Sequence, residues 1–417
     1  MQKYMIVGGN RLQGKVRVSG SKNASLPILA ACLLGFGKSV IHDVPVLSDV
    51  SVMMEVLQSL GARVERKGYT VSVDTGDIEC FEVSEDLMRK MRASNLVLGP
   101  MLARFKKVTI SHPGGCNIGS RPMNMHLKGL QQMGVNIREK YGFITAETSR
   151  LTGAEIYLDM PSVGATENLM MAAVLAKGTT LVKNAAKEPE IVDLQNFLNQ
   201  MGADVKGAGT DVIKIRGVDS LGPAEHTVIP DRIEAGTFAV AAAITGGDIQ
   251  ITNVIPEHFE ALTAKLREAG AEVIQYEDSI RVKGGRSLNA VDIRTQHYPG
   301  FPTDMQPQFM ALMTVARGTS IISETIFENR FKHVSELRRM GADIKVEGQT
   351  AIIKGVPRLS GAVVEASDLR AGAALVLSAL VADNGTVLEN IEHIDRGYEK
   401  LEKKYSSLGA RIIRVHS

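Results

Sequence analysis

Tryptophan is absent from the 417 residues, aromatic residues make up only 5%, and there are three cysteines. Three is odd and sparse, so a disulfide framework of the secreted kind is excluded. Charge of one sign is also missing: 48 Lys+Arg face 46 Asp+Glu, a balance of +2. That is too even for a protein built to coat nucleic acid or an anionic membrane. The most apolar runs, such as LPILAACLLGFG, stop well short of the roughly 18 residues of a spanning helix. The start, MQKYMIVGGNRLQGKV, lacks a basic segment followed by an apolar one, so no signal peptide is expected. The expectation is a soluble, cytoplasmic protein. The nine histidines form no HExxH and no CxxC pair exists, so no metal is expected. No GxxxxGK[ST] and no strand-linked GxGxxG occurs, so ATP and NAD are not indicated, and no cofactor is expected. KGGR at 283–286 reads as a hairpin-like turn.

Glycine, by contrast, is plentiful: 40 residues, about 10% against a usual level of roughly 7%. Part of the excess is periodic. An apolar-periodic stretch, a glycine and a short β-type segment recur as LQSLGARVER, LQQMGVNIRE, LNQMGADVKG, LREAGAEVIQ, LRRMGADIKV and YSSLGARIIR. The glycines are Gly61, Gly134, Gly202, Gly270, Gly341 and Gly409, spaced by 73, 68, 68, 71 and 68 residues. A second motif keeps the same period: a small-apolar helix, a turn and a β-branched strand, as in ENLMMAAVLAKGTTLVKNA. Its turn holds Gly37, Gly178, Gly247, Gly318 or Gly385, and Lys106 or Lys107 in the second copy. Each unit of about 70 residues therefore reads strand, helix, strand, helix, strand. The first helix is apolar all round and should be buried. The glycine after the second helix is a left-handed stop. The fold class is α/β, with six βαβαβ copies in two domains of three, cut near residue 229.

Ligands in α/β sheets bind beyond the carboxyl ends of parallel strands. The loops expected there hold Lys22, Arg92, Arg121, Arg330, Arg370 and Arg396, with Asp231, Asp304, Asp368 and the thiol Cys116. A single loop arginine is ordinarily a solvated charge. Recurrence at equivalent places of a repeat is what distinguishes this set. So many cations on one cleft repel each other without an anion, which points to a substrate bearing phosphates or carboxylates. SGSKNAS and MPSVGATEN run straight into helix starts, whose N–H groups favour such anions. Cys116 lies in the polar loop PGGCNIGSRP near Arg121, a setting that favours a lowered thiol pKa. Cys32 reads as core, and Cys80 as partly buried strand.

The segments SGSKNASLPILAA, LMRKMRAS, PGGCNIGSRP, PSVGATEN, FPTDMQPQ, ETIFENRF, SDLRAGAALV and HIDRGYEKL, in order over essentially the whole chain, closely resemble the UDP-N-acetylglucosamine 1-carboxyvinyltransferase family. These are the enolpyruvyl transferases that open peptidoglycan synthesis. The resemblance implies two inverse α/β domains of three repeats each, with the active site in the cleft between them. It implies a domain over 22–229, and a second over 230–417 joined by residues 1–21. It also implies transfer of the enolpyruvyl group of phosphoenolpyruvate to the 3-hydroxyl of UDP-N-acetylglucosamine, through a tetrahedral ketal, with release of phosphate. The partners are those two small molecules, with no nucleic acid and no membrane. A place in cell-wall growth, and so in cell shape and division, goes with the family.

The resemblance also implies roles. Cys116 is the proton donor to C3 of phosphoenolpyruvate and can form a covalent pyruvate adduct. Asp304 is the base for the attacking hydroxyl. Lys22, Arg121 and Arg396 hold phosphate; Arg330 and Arg370 hold the carboxylate. Asn23 and Asp368 lie near the intermediate, and Asp231 at the domain junction. The UDP-sugar positions are Arg92, Arg121, Pro122, Met123, Asn124, Met125, Ser162, Val163, Gly164, Asp304 and Ile326. The chain departs from the family pattern at Ser48, Met160 and Asn124, where some members carry Lys, Lys and Asp. Two rival readings are the sister enzyme acting on shikimate 3-phosphate, which lacks the cysteine loop, and a non-catalytic sugar-nucleotide sensor. A further expectation is that the loop at about 112–122 is a lid that excludes water.

Overall fold

The computed structural model describes residues 2–112, 118–119, 123–285 and 287–416. Two compact units emerge, each with its own hydrophobic core. One comprises 20–112 and 123–229; the other comprises 2–19, 118–119 and 230–416. Leu29, Met101, Leu169 and Phe197 lie in the core of the former, and Tyr4, Phe238, Phe309 and Leu375 in that of the latter. Gly20 and Ser21, expected with the second domain, lie with residues 22–229. The Ser21 N–H donates to Ile229 O at 2.7 Å, and the Ser21 hydroxyl caps the helix that follows.

The repeat has one element more than expected. In the third copy a strand Glu155–Tyr157, a helix Val163–Ala173, a parallel strand Thr179–Lys183 and a helix Pro189–Gln200 lead to a hairpin, Asp204–Lys206 and Val212–Arg216. The hairpin's second strand pairs antiparallel with Thr179–Lys183, which closes a four-stranded sheet. The same hairpin appears as Arg63–Lys67 with Thr70–Asp74, and as Asp343–Glu347 with Thr350–Lys354. The periodic motif stops at the glycine and one strand, so it does not register the return strand. KGGR is not the hairpin turn: Ser279–Lys283 is already the return strand, and Gly284 follows it.

Two strands are exchanged between the chain's ends and its middle. Gln13–Arg17, which leads into SGSKNAS, pairs parallel with Asp248–Thr252 as the first strand of the fourth copy. Glu225–Thr227, which leads into PDRIEAG, pairs parallel with Lys38–His42 as the first strand of the first copy. Gln2–Val7 lies between Gly385–Glu389 and Arg411–His416, and so completes the sixth copy. In the second copy the first strand shrinks to a bridge, Glu82 to Thr109, and the sheet has three strands. Cys80 precedes that bridge and is exposed outside any strand, contrary to its sequence reading; Cys32 is buried as expected.

The first helices are buried nearly all round, as their composition requires. In Arg232–Ile244 every residue after the first is buried, and Gln306–Met313 is buried throughout. Small residues allow the close packing: a Cβ on Gly99 would stand 2.3 Å from Asn168 O. Ser21, Ser162, Asp231 and Asp368 each accept backbone N–H groups at the start of such a helix. A cap of this kind stabilises by about 1 kcal/mol. All six glycines of the first motif have positive φ, between +91° and +108°, as the left-handed stop demands. In the second motif the positive φ falls on Gly37, Lys106, Gly178 and Gly318, but on Gly246 and Asn384 rather than Gly247 and Gly385. No helix among the described residues is long and apolar enough to cross a membrane.

Candidate active site

The carboxyl ends of the parallel strands carry the candidate residues of each unit. In the unit containing 230–416, Asp304 lies in a short 3₁₀ turn, Thr303–Met305, between the strand Ile293–Arg294 and a buried helix. Its carboxylate is shared by two buried arginines. Arg330 donates Nη2 to Oδ1 at 2.9 Å. Arg370 donates Nε and Nη2 to Oδ2 at 3.2 and 3.0 Å. Burial opposes the Arg370 charge, but Asp304, Tyr398 and Asp231 together raise its pKa above the usual arginine value. Its guanidinium carbon lies 5.4 Å from the centre of the Tyr398 ring.

These arginines keep donors to spare. Arg330 Nε and Arg370 Nη1 are buried and make no hydrogen bond among the described residues. A buried guanidinium N–H without an acceptor is unfavourable. The pair therefore suits a further anion. His333 is buried nearby, and neither ring nitrogen has a hydrogen-bond partner among the described residues. Burial pushes its pKa down; the Asp368 charge opposes this and the Arg330 charge adds to it. Asp368 caps the helix Leu369–Val381 by accepting from the N–H groups of Arg370 and Ala371, which sets where Arg370 leaves the backbone. Asp231 caps Arg232–Ile244 in the same way. Arg396 ends the short helix Glu392–Asp395, and Ile326 follows the strand Thr319–Ser323. Ile118 O accepts from the Asn329 N–H at 3.0 Å, next to Arg330 in sequence.

In the unit containing 20–112, Lys22 opens the helix Lys22–Ala31, with Asn23 half-buried after it. The Lys22 ammonium meets Asp49 Oδ2 at 2.7 Å. Elsewhere in this unit His126 has Asn168, Arg92 and Gly164 as neighbours. The Asn168 Oδ1 accepts from the Gly99 N–H at 2.8 Å. Its amide nitrogen donates to Asn95 O at 3.2 Å and lies 3.1 Å from His126 Nδ1. With the amide so oriented, Nδ1 must accept, and the ring proton sits on Nε2. Burial, helped by the Arg92 charge, lowers the His126 pKa to about 4, so the ring is neutral. A Cβ at position 164 would meet His126 Cε1 at 3.2 Å, which explains the glycine. Ser162 caps the helix that Val163 and Gly164 begin, as expected. Met123 is buried, Met125 half-buried and Asn124 exposed at the start of Asn124–Gln132. Cys116, Arg121 and Pro122, and with them most of the expected lid, lie outside the described residues.

The EPSP synthase (3-phosphoshikimate 1-carboxyvinyltransferase) family profile matches residues 6–405. Curated relatives discriminate within it. The chain is 59% identical to "UDP-N-acetylglucosamine 1-carboxyvinyltransferase 1" of Symbiobacterium thermophilum, over 99% of this chain and 95% of that one. It is 58% identical to the protein of the same name in Carboxydothermus hydrogenoformans, over 100% and 99%. The chain belongs to the UDP-N-acetylglucosamine 1-carboxyvinyltransferase family. Membership makes it an enolpyruvyl-group transferase of peptidoglycan synthesis. The enolpyruvyl transferase NikO from Streptomyces tendae superposes with a TM-score of 0.89 at 27% identity, covering 100% and 99% of the two chains. EPSP synthase from Acinetobacter baumannii shares the fold, with a TM-score of 0.78 at 20% identity over 100% of both chains. The enolpyruvyl transferase fold implied by the resemblance is therefore the fold of this chain.

Against that family background, sequence reasoning missed four groups beside the expected ones: Asp49, His126, Glu324 and His333. Asp49 lies in the first turn of the helix Ser48–Ser59, where an acidic residue ordinarily serves the helix dipole. Nothing in its local pattern shows that Lys22 folds onto it. Of the three departures, Met160 is exposed, Ser48 begins a helix and Asn124 is exposed. None disturbs the packing of a buried group.

Proposed function

We propose that this chain transfers the enolpyruvyl group of phosphoenolpyruvate to the 3-hydroxyl of UDP-N-acetylglucosamine. In the addition step a proton goes to C3 of phosphoenolpyruvate and the sugar oxygen bonds to C2, giving a tetrahedral ketal. In the elimination step C3 loses a proton and the C2–O bond to phosphate breaks. The observation that carries the reading is the Asp304 carboxylate held by Arg330 and Arg370, buried cations whose Nε and Nη1 groups can take a further anionic acceptor. Asp304 is the base that takes the hydroxyl proton. Arg330 and Arg370 take the substrate carboxylate and restrain charge that develops beside it. Lys22, Arg121 and Arg396 take the phosphate, with Asn23 and Asp368 near the intermediate. Cys116 delivers the proton to C3, and its thiolate can add to C2 as a pyruvate adduct. Arg92, the run 121–125 and Ser162–Gly164 hold the nucleotide, whose diphosphate suits a helix start. Ile326 joins Asp304 on the sugar side. Asp231 serves through Arg370, whose charge it supports. Small, charged substrates of this kind fit a cytoplasmic enzyme that supplies cell-wall growth and so cell shape and division.

A phosphate-release assay tests the reading. Release with phosphoenolpyruvate plus UDP-N-acetylglucosamine, and none with shikimate 3-phosphate, is expected. Release with shikimate 3-phosphate alone would select the sister reaction, and no release with either acceptor would favour a sensor. Cys116→Ala should lose most activity near neutral pH while still binding the UDP-sugar. Cys116→Asp should keep some activity and resist thiol-directed epoxides, since a carboxyl can also deliver a proton.

A further inference from the structure

Glu324 is 1% exposed and stands immediately after the strand Thr319–Ser323. A carboxylate buried this deeply is unfavourable unless donors surround it. Four do. Its Oε1 accepts from the Thr295 hydroxyl at 2.9 Å, the Ile326 N–H at 2.9 Å and the Phe327 N–H at 3.2 Å. Its Oε2 accepts from the Thr303 hydroxyl at 2.9 Å. No cation forms an ion pair with it among the described residues; every donor is neutral, and each belongs to a segment that needs fixing. Thr295 directly follows the strand Ile293–Arg294. Thr303 is the neighbour of Asp304. Ile326 and Phe327 begin the loop that leads to Arg330. Thr325 ties the same loop to the same strand end: its N–H donates to Thr295 Oγ1 at 2.9 Å and its hydroxyl to Thr295 O at 2.6 Å.

The geometry points to Glu324 as a positioning residue that sets Asp304 and Ile326 for the acceptor sugar by clamping Thr303 and the Ile326–Phe327 amides. This rests on the assignment of Asp304 and Ile326 to the acceptor made above. Asp304 is thus fixed at both ends. Arg330 and Arg370 hold its carboxylate, and Glu324 holds the turn from which it springs. Thr325 anchors the neighbouring backbone to Thr295, and Glu324 is the acceptor that the Ile326 N–H itself meets among the described residues. A displacement of about 1 Å of a reacting group can lower a rate by about 10²-fold, so a clamp remote from the reacting atoms can govern turnover.

Three variants of the full chain test this: Glu324→Ala, Glu324→Gln and Thr303→Val. Both KM values, kcat and amide hydrogen exchange at Ile326 and Phe327 are the readouts. In Glu324→Ala the KM for UDP-N-acetylglucosamine should rise at least about tenfold and that for phosphoenolpyruvate less than about threefold. Exchange at the two amides should accelerate at least about tenfold. Glu324→Gln should restore most of both properties. Its amide oxygen replaces Oε1, and its NH₂ can donate to a Thr303 hydroxyl turned to accept. Thr303→Val severs only the Asp304 half, so kcat should fall while exchange at Ile326 and Phe327 stays as in the wild type. Equal rises in both KM values, no rescue by glutamine, or unchanged exchange in Glu324→Ala would each overturn the clamp. If Glu324→Ala fails to fold, the glutamine and valine variants decide by the same criteria. If the wild type releases no phosphate with the UDP-sugar, the reaction assignment fails, and the exchange measurement still judges the clamp.

Discussion

The Lys22 ammonium lies 2.7 Å from Asp49 Oδ2, and both side chains are largely buried, at 11% and 5% exposure. A pair this deep is weak evidence of stability in itself, but breaking a buried ion pair by removing one partner is destabilising. Asp49→Ala should therefore lower stability by about 3 kcal/mol, read by denaturant unfolding. It should also free the Lys22 side chain and lower kcat/KM for phosphoenolpyruvate at least about tenfold. Unchanged unfolding and unchanged kinetics would show that the pair has no orienting role.

The fork of Arg370 on Asp304 makes a sharper prediction. Two donors of one planar group reach one oxygen, an arrangement that a lysine ammonium does not reproduce. Arg370→Lys should lower kcat/KM for phosphoenolpyruvate by about 10²-fold, with a smaller effect on UDP-sugar affinity. Steady-state kinetics with each substrate varied separately will distinguish this from a general loss of folded enzyme.

The third prediction concerns pH. The His126 pKa is lowered from 6.5 to about 4 in the folded chain. Above pH 6.5 the ring is neutral in both the folded and the unfolded chain, and stability is at its full value. As pH falls from 6.5 towards 4, the unfolded chain binds a proton that the folded chain does not, so stability is lost. At about 1.4 kcal/mol per pH unit, the shift of 6.5 − 4 = 2.5 amounts to about 3 kcal/mol. Unfolding free energies across that window should show this slope, and His126→Asn should flatten it. An equal slope in both proteins would place the effect elsewhere.

The repeats were legible because their chemistry is local. A glycine that must take positive φ, and a helix with no polar face, leave marks within a few residues. The six stops from Gly61 to Gly409 and the buried helices follow from that alone. The return strand of each hairpin was not legible. Val212–Arg216 alternates as any half-buried strand does, and only pairing with Thr179–Lys183 gives it a place. Cys80 misled for a related reason: a strand-like composition forms no strand where no partner lies alongside.

The candidate site divides in the same manner. Asp304, Arg330 and Arg370 were marked by recurrence of charge in equivalent loops, and by resemblance to a family. Asp49 and Glu324 were not, because each resembles an ordinary helix-start or strand-end acid until its donors are seen. His126 lies in the helix Asn124–Gln132 and His333 just before the helix Val334–Arg339, where the pattern shows burial but not a neutral ring.

The sequence by itself determined that tryptophan is absent and the charge nearly balanced, that six copies repeat, and that the loops expected beyond the strands carry cations and one thiol. Composition and near-neighbour periodicity carry that much, since backbone stops and apolar faces act over a turn or two. Only the tertiary structure decided which strands change places, which carboxylate holds Lys22, and how Glu324 fastens Thr303 to Ile326. Those are contacts between residues distant in sequence, and their energies depend on burial and hydrogen-bond geometry that exist only once the chain has folded.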